Sequence, residues 1–346
     1  MKEKIKLTQY SHGAGCGCKI APSVLREILG DPKATAPTFP SLLVGNEHSD
    51  DAAVVDLDGE TAIVSTTDFF MPIVDDPYTF GDIAATNALS DIYAMGAQPI
   101  MAIAILGWPI ATLPPEVARE VLNGGREACH RAGIPLAGGH SIDAPEPIFG
   151  LAVTGKVAAS NIKRNSSAKE GDLLYLSKPL GIGMVTTAQK RGVAKEEDLV
   201  QAMESMLRLN EVGFLASGWK EVHAITDVTG FGLGGHLLEM TQGSGLSASI
   251  EISKLPLFDF VPHYLSLKCY PGGTDRNWKS YGHHIQCSRT DYIPIIADPQ
   301  TSGGLLFAVE QTASMEFEEK MQEHSYKVRP FGQMMTKQRY GLLVND

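Results

Sequence analysis

Carboxylates stand in this sequence at places where strand-like segments begin and end. Asp50-Asp51 precede a β-branched run that starts at Ala52, Asp68 closes the next such run, and Asp227 closes one in the second half. Asn87 and Asp91 are four residues apart in a helical pattern and share one face, with the small Ala84 and Ala88 beside them. Mg²⁺ takes oxygen ligands, keeps several waters, and binds through a few carboxylates plus substrate phosphates. Taken singly, each aspartate reads more simply as turn chemistry or a solvated helix position. Taken together, they point to metal-assisted chemistry on a phosphorylated substrate.

Two glycine-rich turns are candidates for presenting backbone N–H groups to phosphate. One is Ala137-Gly-Gly-His-Ser141, after a short predicted strand. The other is Asp227-Val-Thr-Gly-Phe-Gly232, which opens onto a predicted helix whose N-terminus favours an anion. Neither has the spacing of a Walker loop or a dinucleotide fingerprint.

The segment Gly13-Ala-Gly-Cys-Gly-Cys-Lys19 alternates glycine with other residues and has little intrinsic order. Cys16 lies three residues from Lys19, and a neighbouring cation lowers a thiol pKa. The expectation is a reactive thiol on a mobile arm. A zinc site is the alternative: Cys16 and Cys18 supply two ligands and His12 a third, short of the usual four.

The elements that must position these groups follow from pattern. Ala52–Leu57 and Thr61–Thr66 read as a hairpin about Asp58-Gly59. Phe80–Met95 reads as a helix, with Thr79 and Asp82 as its capping pair and Gly96 as its stop. The apolar run 99–106 predicts a strand buried on both faces. A helix over Leu113–Ala132 and strands at Leu136–Ala137 and Ile148–Val157 complete one α/β unit. The polar stretch 158–171 marks a boundary. Beyond it come strands near 173–177, 222–226 and 246–252, helices near 184–190, 199–217 and 233–242, and a strand–helix–strand from Leu305. The expected organisation is an arm over 1–40, one α/β domain over 41–157 and a second over 170–346.

Composition narrows the function. The chain has 346 residues, 43% apolar and 20% charged, a globular profile long enough for two domains. Its formal charge is −11, from 29 basic and 40 acidic residues. That excess argues against nucleic acid or an anionic membrane as a partner, and it obliges any polyanionic substrate to arrive with metal ions or local donors. Residues 1–10 lack the apolar core of a signal peptide, and the longest apolar run is too short to span a bilayer. Five cysteines without a CxxC pair fit a reduced cytoplasmic setting.

Several motifs in order, YSHGAGCGCK from Tyr10, GNEHSDDAAV from Gly45, STTDFFMPIV from Ser65, residues 84–96, AGGHSIDAPEP from Ala137, ITDVTGFG from Ile225 and DPQTSGGL from Asp298, resemble the selenide, water dikinase (selenophosphate synthetase) family. The likeness runs from about Ile5 to Phe307. It implies the two-domain α/β (α+β) fold shared with aminoimidazole ribonucleotide synthetase, mixed sheets flanked by helices, and a homodimer with its ATP site near the interface. The implied reaction is ATP + selenide + water → selenophosphate + AMP + phosphate, with Mg²⁺ as cofactor and a selenium-delivery protein as a further partner. By motif, Cys16 is the catalytic thiol and Lys19 the essential lysine that contacts nucleotide. Asp51, Asp91 and Asp227 match the metal ligands. His48, Ser49, Asp50, Asp68, Asp91, Gly139, His140 and Ser141 match the ATP contacts. Aminoimidazole ribonucleotide synthetase and thiamine-monophosphate kinase types share the fold but lack the Gly-Cys-Gly-Cys-Lys arm. A redox or metal-binding module built on Cys16 and Cys18 leaves the aspartates unexplained.

Overall fold

The computed structural model describes residues 5–20, 22–30, 39–45 and 49–346. Helix α1 (Pro22–Leu29) precedes a six-stranded sheet made of β1 (Leu42–Val44), β2 (Ala53–Asp56), β3 (Thr61–Phe70), β4 (Gln98–Trp108), β5 (Leu136–Asp143) and β6 (Ile148–Ala158). Its strand order is β1-β2-β3-β6-β4-β5, antiparallel except for the β4–β5 pair. Two helices, α2 (Pro77–Ala94) and α3 (Pro115–Arg131), cover one face. The period-2 alternation of β3 directs Ala62, Val64, Asp68 and Phe70 under those helices and Ser65, Thr67 and Phe69 to the other face.

Every residue of α2 from Phe80 to Ala94 is buried. A helix apolar on all sides needs partners on all sides, and α2 packs on α3, β3 and β6 and also on elements of the second half. Asp91 is therefore an interior residue, not a solvated one. The helix starts earlier than Thr79. Asp76 is its N-cap, accepting from Thr79 N at 3.0 Å, and Pro77 fills the first turn, where its missing N–H costs nothing. Asp82 does not cap. It forms a two-pronged ion pair with Arg131 at the end of α3, at 2.6 and 2.7 Å.

The strand predicted over 99–106 exists as β4, but its burial alternates. Ile100, Met101 and Ile103 are about 40% exposed on the helix-free face. Strand β5 is longer than expected and absorbs Gly138 to Ser141, so the predicted phosphate turn there is an edge strand paired with β4. Gly139 is required at that crossing, because a Cβ would lie 2.4 Å from Ala104 O.

The second half forms a seven-stranded mixed sheet, β10-β13-β9-β12-β7-β11-β8. Its strands are β7 (Leu173–Leu176), β8 (Val222–Asp227), β9 (Ser247–Glu251), β10 (Ile285–Cys287), β11 (Leu305–Val309), β12 (Gly332–Met335) and β13 (Leu342–Asn345). Helices α4 (Ile182–Lys190), α5 (Glu196–Leu207), α6 (Val212–Ala216), α7 (Gly232–Gly243), α8 (Val261–Ser266), α9 (Gly272–Tyr281), α10 (Ile293–Ile296) and α11 (Ser314–Glu323) surround it. The single helix expected over 199–217 is two, α5 and α6, separated where Arg208 takes an extended backbone. Among the described residues no helix is long and apolar enough to cross a membrane.

Candidate active site

A cleft of about 800 Å³ opens where β3 and α2 of the first sheet meet β8 and α7 of the second half. Asp51, just before β2, Asp68 on β3, Asp91 on α2 and Asp227 at the end of β8 all line it. Chain segments more than a hundred residues apart thus deliver carboxylates to one place. Hydroxyls fix their orientation. Thr66 donates to Asp91 Oδ2 at 2.6 Å, and Thr226 donates to Asp51 Oδ1 at 2.9 Å across the seam between the halves. Asn87 Nδ2 donates to Asp68 Oδ2 at 2.7 Å. Phe231, His236 and Tyr281 form part of the opposite wall.

The electrostatics of this cluster are unfavourable without a cation. Burial and the nearby Asp227 and Asp91 push Asp51 well above the usual carboxylate range. Burial, Asp227 and Asp68 do the same to Asp91. Asp227 is also raised, by burial, although His236, Ser90 and Lys19 pull the other way. Asp51 Oδ2 and Asp227 Oδ2 are buried without a hydrogen-bond partner. Buried acceptors of this kind normally have donors, and a hard divalent cation satisfies both the orphaned oxygens and the excess charge. Among the described residues no three carboxylate, imidazole or thiol side chains close on one point as a complete metal cage.

The Gly13–Lys19 segment lies folded over this cluster. Gly15 pairs with Met71 as an isolated antiparallel bridge, and Cys16–Cys18 form one 3₁₀ turn. Gly15 adopts φ 50°, and a Cβ there would sit 2.3 Å from Thr301 Oγ1, so glycine is needed for closure. Cys16 is fully buried. Its N–H donates to Thr301 Oγ1 at 3.2 Å and its thiol to Asn87 Oδ1 at 3.3 Å. The expected activation by Lys19 does not prevail. Burial raises the Cys16 pKa well above its ordinary value, Asp68 adds to that, and the opposing pull of Lys19 is smaller. Lys19 Nζ is 3.2 Å from Asp68 Oδ2. Desolvation works against its charge, but the carboxylates, Asp68 foremost, outweigh it and keep it protonated. All five cysteines are free thiols.

Of the residues singled out by sequence, Lys19, Ser49, Asp50, Asp51, Asp68, Asp91 and Asp227 line the cleft, and Cys16 lies beneath its arm. His48 lies outside the described residues. Ser49 takes a left-handed φ of 54°, a strained backbone at the cleft edge. Gly139, His140 and Ser141 do not line this cleft; they are exposed on β5. The turn at 227–232 opens onto α7 as expected, yet Val228 N is bonded to Gly304 O and Gly232 N to Thr229 O. Those two donors are spent inside the protein.

Sequence reasoning singled out no role for Asn87 or Thr301. Asn87 Oδ1 also accepts from Ser302 N at 2.8 Å, so one amide joins the thiol, Asp68 and the 298–305 loop. The i, i+4 spacing of Asn87 and Asp91 was the available clue.

The descriptions "AIR synthase related protein, N-terminal domain" and "AIR synthase related protein, C-terminal domain" match residues 49–157 and 169–345. A selenide, water dikinase of Aeromonas hydrophila is 59% identical over 335 residues, covering 96% of each chain. This chain belongs to the selenide, water dikinase family. A second member, from Pseudomonas putida, is 56% identical over 344 residues, covering 99% of this chain and 100% of the other. The chain also shares its fold with a thiamine-monophosphate kinase from Stenotrophomonas maltophilia, at TM-score 0.64 and 20% identity, over 88% of this chain and 91% of that one.

Proposed function

We propose that the protein makes selenophosphate from ATP, selenide and water, releasing AMP and phosphate, with its chemistry at the aspartate cleft. The observation that carries this reading is the convergence of Asp51, Asp91 and Asp227, with two orphaned buried oxygens, beside the enclosed Cys16 thiol. Those three aspartates would hold Mg²⁺, which when bound neutralises and orients phosphate oxygens.

The protein's own groups divide the remaining work. Lys19 supplies positive charge at the mouth of an acidic cleft, where a phosphate oxygen could exchange with Asp68 as its partner. Asp68 and Asn87 hold the lysine and the thiol in register. Ser49 and Asp50 border the space available to the nucleotide. The arm, taken as residues 1–40, closes over bound substrates and excludes water from a soft, easily oxidised nucleophile. Residues 41–157 and 170–346 form the two domains that meet at the cleft.

A homodimer completes the picture. The helix-free face of the first sheet exposes Val55, Phe69, Ile100, Ile103 and Ile142, an apolar surface that a second copy would cover. His140 and Ile142 share that face, because His140 pairs with Ile105 and Ile142 with Gly107. A second copy stacked there would bring its Gly139–Ser141 strand towards the nucleotide. The free thiols suit a reducing cytoplasm.

Phosphorus NMR of ATP and Mg²⁺ with the protein, with and without selenide under anaerobic conditions, tests the reading. Selenide-dependent AMP and a new phosphorus–selenium resonance are expected. ADP as the nucleotide product, or turnover indifferent to selenide, would overturn it.

A further inference from the structure

Behind the Gly13–Lys19 segment, on the side away from the aspartates, lies a second cavity of about 340 Å³. Its wall includes His12, just before the segment, and Gly13, Ala14 and Gly17 within it, while Gly15, Cys18 and Lys19 line the aspartate cleft. One stretch of backbone therefore partitions two chambers.

The chambers carry opposite charge. Among the described residues, the aspartate cleft is lined by six carboxylates, Asp50, Asp51, Asp68, Asp91, Asp227 and Glu239, against the single lysine Lys19. The second cavity is lined by Lys190, Arg191 and Arg276, and no carboxylate is among the described residues that line it. In a chain of net charge −11 this segregation is not what a random surface gives. Glu146 at the rim is engaged by His12 at 2.9 Å, and Asp298 lies beneath the floor, where its Oδ2 accepts from Gly183 N at 3.1 Å. Two of the cations also touch the partition itself: Lys190 Nζ lies 3.4 Å from Gly13 O, and Arg276 Nη2 donates to Gly17 O at 2.8 Å.

The geometry points to the basic cavity as the entry port for the anionic selenium substrate, on the opposite side of the arm from the nucleotide. The inference rests on the proposed reaction and deepens it. Hydrogen selenide is acidic enough to be the HSe⁻ anion at neutral pH. Approach through the aspartate cleft would take that anion past the nucleotide's polyphosphate and the carboxylates of Asp50, Asp68 and Glu239, whereas a cavity lined by one sign of charge concentrates the opposite ion. Cys18, half-buried in the partition, borders the aspartate cleft, while Lys190 and Arg276 reach the same stretch of backbone from the other side.

The test is anaerobic steady-state kinetics with Lys190→Glu, Arg276→Glu and the conservative Lys190→Arg, varying selenide at saturating ATP and then the reverse. Lys190 and Arg276 are exposed, so folding is not threatened. In both charge-reversed variants KM for selenide should rise about tenfold or more, with KM for ATP changed less than about twofold. Lys190→Arg should behave as the unaltered protein. The kcat/KM for selenide should fall as salt rises, and Lys190→Glu should abolish that dependence. Because Arg276 also holds the arm, alkylation of Cys16 is measured alongside, and Lys190→Glu must act without speeding it. Unchanged KM for selenide, or an equal rise in KM for ATP, overturns the port while leaving the proposed reaction standing. Absence of selenophosphate with the unaltered protein overturns the reaction and the port together.

Discussion

The Cys16 thiol donates to Asn87 Oδ1 at 3.3 Å, and the same amide donates from Nδ2 to Asp68 Oδ2 at 2.7 Å. Asn87 is fully buried, so its partners have no water to fall back on. Asn87→Leu keeps the volume and removes every bond. It leaves Ser302 N without its acceptor and Asp68 without its amide donor. Loss of a buried partner costs about 1–3 kcal/mol per group left unsatisfied. A lowered melting temperature and at least about a hundredfold loss of selenophosphate formation are expected. Full activity in this variant would show that the thiol needs no fixed orientation.

Asp51 and Asp227 each bury a carboxylate oxygen that has no hydrogen-bond partner. Asp51→Asn places a donor where Oδ2 has no partner and removes one of the buried like charges. Without metal, the variant should melt higher than the unaltered protein. With Mg²⁺ and nucleotide the order should reverse, because ligand-linked stabilisation of about RT ln(1 + [L]/Kd) is lost with the site. Calorimetry with and without EDTA separates the two. An unaltered Mg²⁺-dependent shift in Asp51→Asn would remove Asp51 from the metal site.

Closure of the arm depends on Gly15. An alanine there meets Thr301 Oγ1 and must hold φ near 50° with ψ near −152°, a combination that favours glycine and costs about 1–3 kcal/mol before the clash is counted. Gly15→Ala should hold the arm open, so that alkylation of Cys16, slow at pH 7 in the closed protein, becomes faster. The melting temperature should fall by a few degrees, since opening the arm takes Cys16 out of the core and breaks its bonds to Thr301 and Asn87. Equal labelling rates in the two proteins would mean that the arm already opens freely.

The aspartates were legible in the sequence because each follows or precedes a strand-like run or lies one helical turn from a polar neighbour. Asp51, Asp68, Asp91 and Asp227 could be picked out before any fold was known, and the fold brings them together. The state of Cys16 was not legible. Sequence shows Lys19 three residues away, but the burial and the Asp68 charge that override it come from segments far along the chain, and even the Thr301 hydroxyl, 285 positions distant, pulling the other way does not offset them. The cap of α2 was misplaced because Thr79 and Asp82 satisfy the local pattern while Asp82 is claimed by Arg131, a tertiary partner. Gly138 to Ser141 imitated a turn because glycine pairs serve both turns and close strand crossings. The run 99–106 was apolar enough for a fully buried strand, but only its helix-facing side is covered, which the run of apolar letters does not reveal.

Asp298 makes stability depend on pH. Its Oδ2 accepts from Gly183 N at 3.1 Å and Gln300 Nε2 at 2.8 Å, while Oδ1 is buried without a partner. Burial pushes its pKa up to about 7, against an ordinary value of 3.8, despite the bonds from Gln300 and Gly183. Between those values the folded protein holds a proton that the unfolded chain has released. The contribution of Asp298 is therefore fully present below the unfolded value and is lost as pH rises to about 7. Its size is on the order of 4 kcal/mol at most. Asp298→Asn should gain on the unaltered protein steadily from acid to neutral pH in urea unfolding. A difference constant with pH would mean that Asp298 is ionised throughout.

The exposed sheet face gives the sharpest test of assembly. Ile103 is 44% exposed at the centre of that face, pairing with Ala152, which in turn pairs with Thr67. A glutamate there would remain solvated in a monomer but would be buried without a partner between two copies, which costs several kcal/mol for each copy. Ile103→Glu should therefore elute as a monomer and keep its melting temperature within a few degrees, because Ile103 is already 44% exposed among the described residues. If Gly139 to Ser141 act on a partner's nucleotide, the monomer should also lose selenophosphate formation, although its own aspartates are intact. A monomeric variant with full activity would confine the site to one chain. A variant that stays dimeric would place the interface elsewhere.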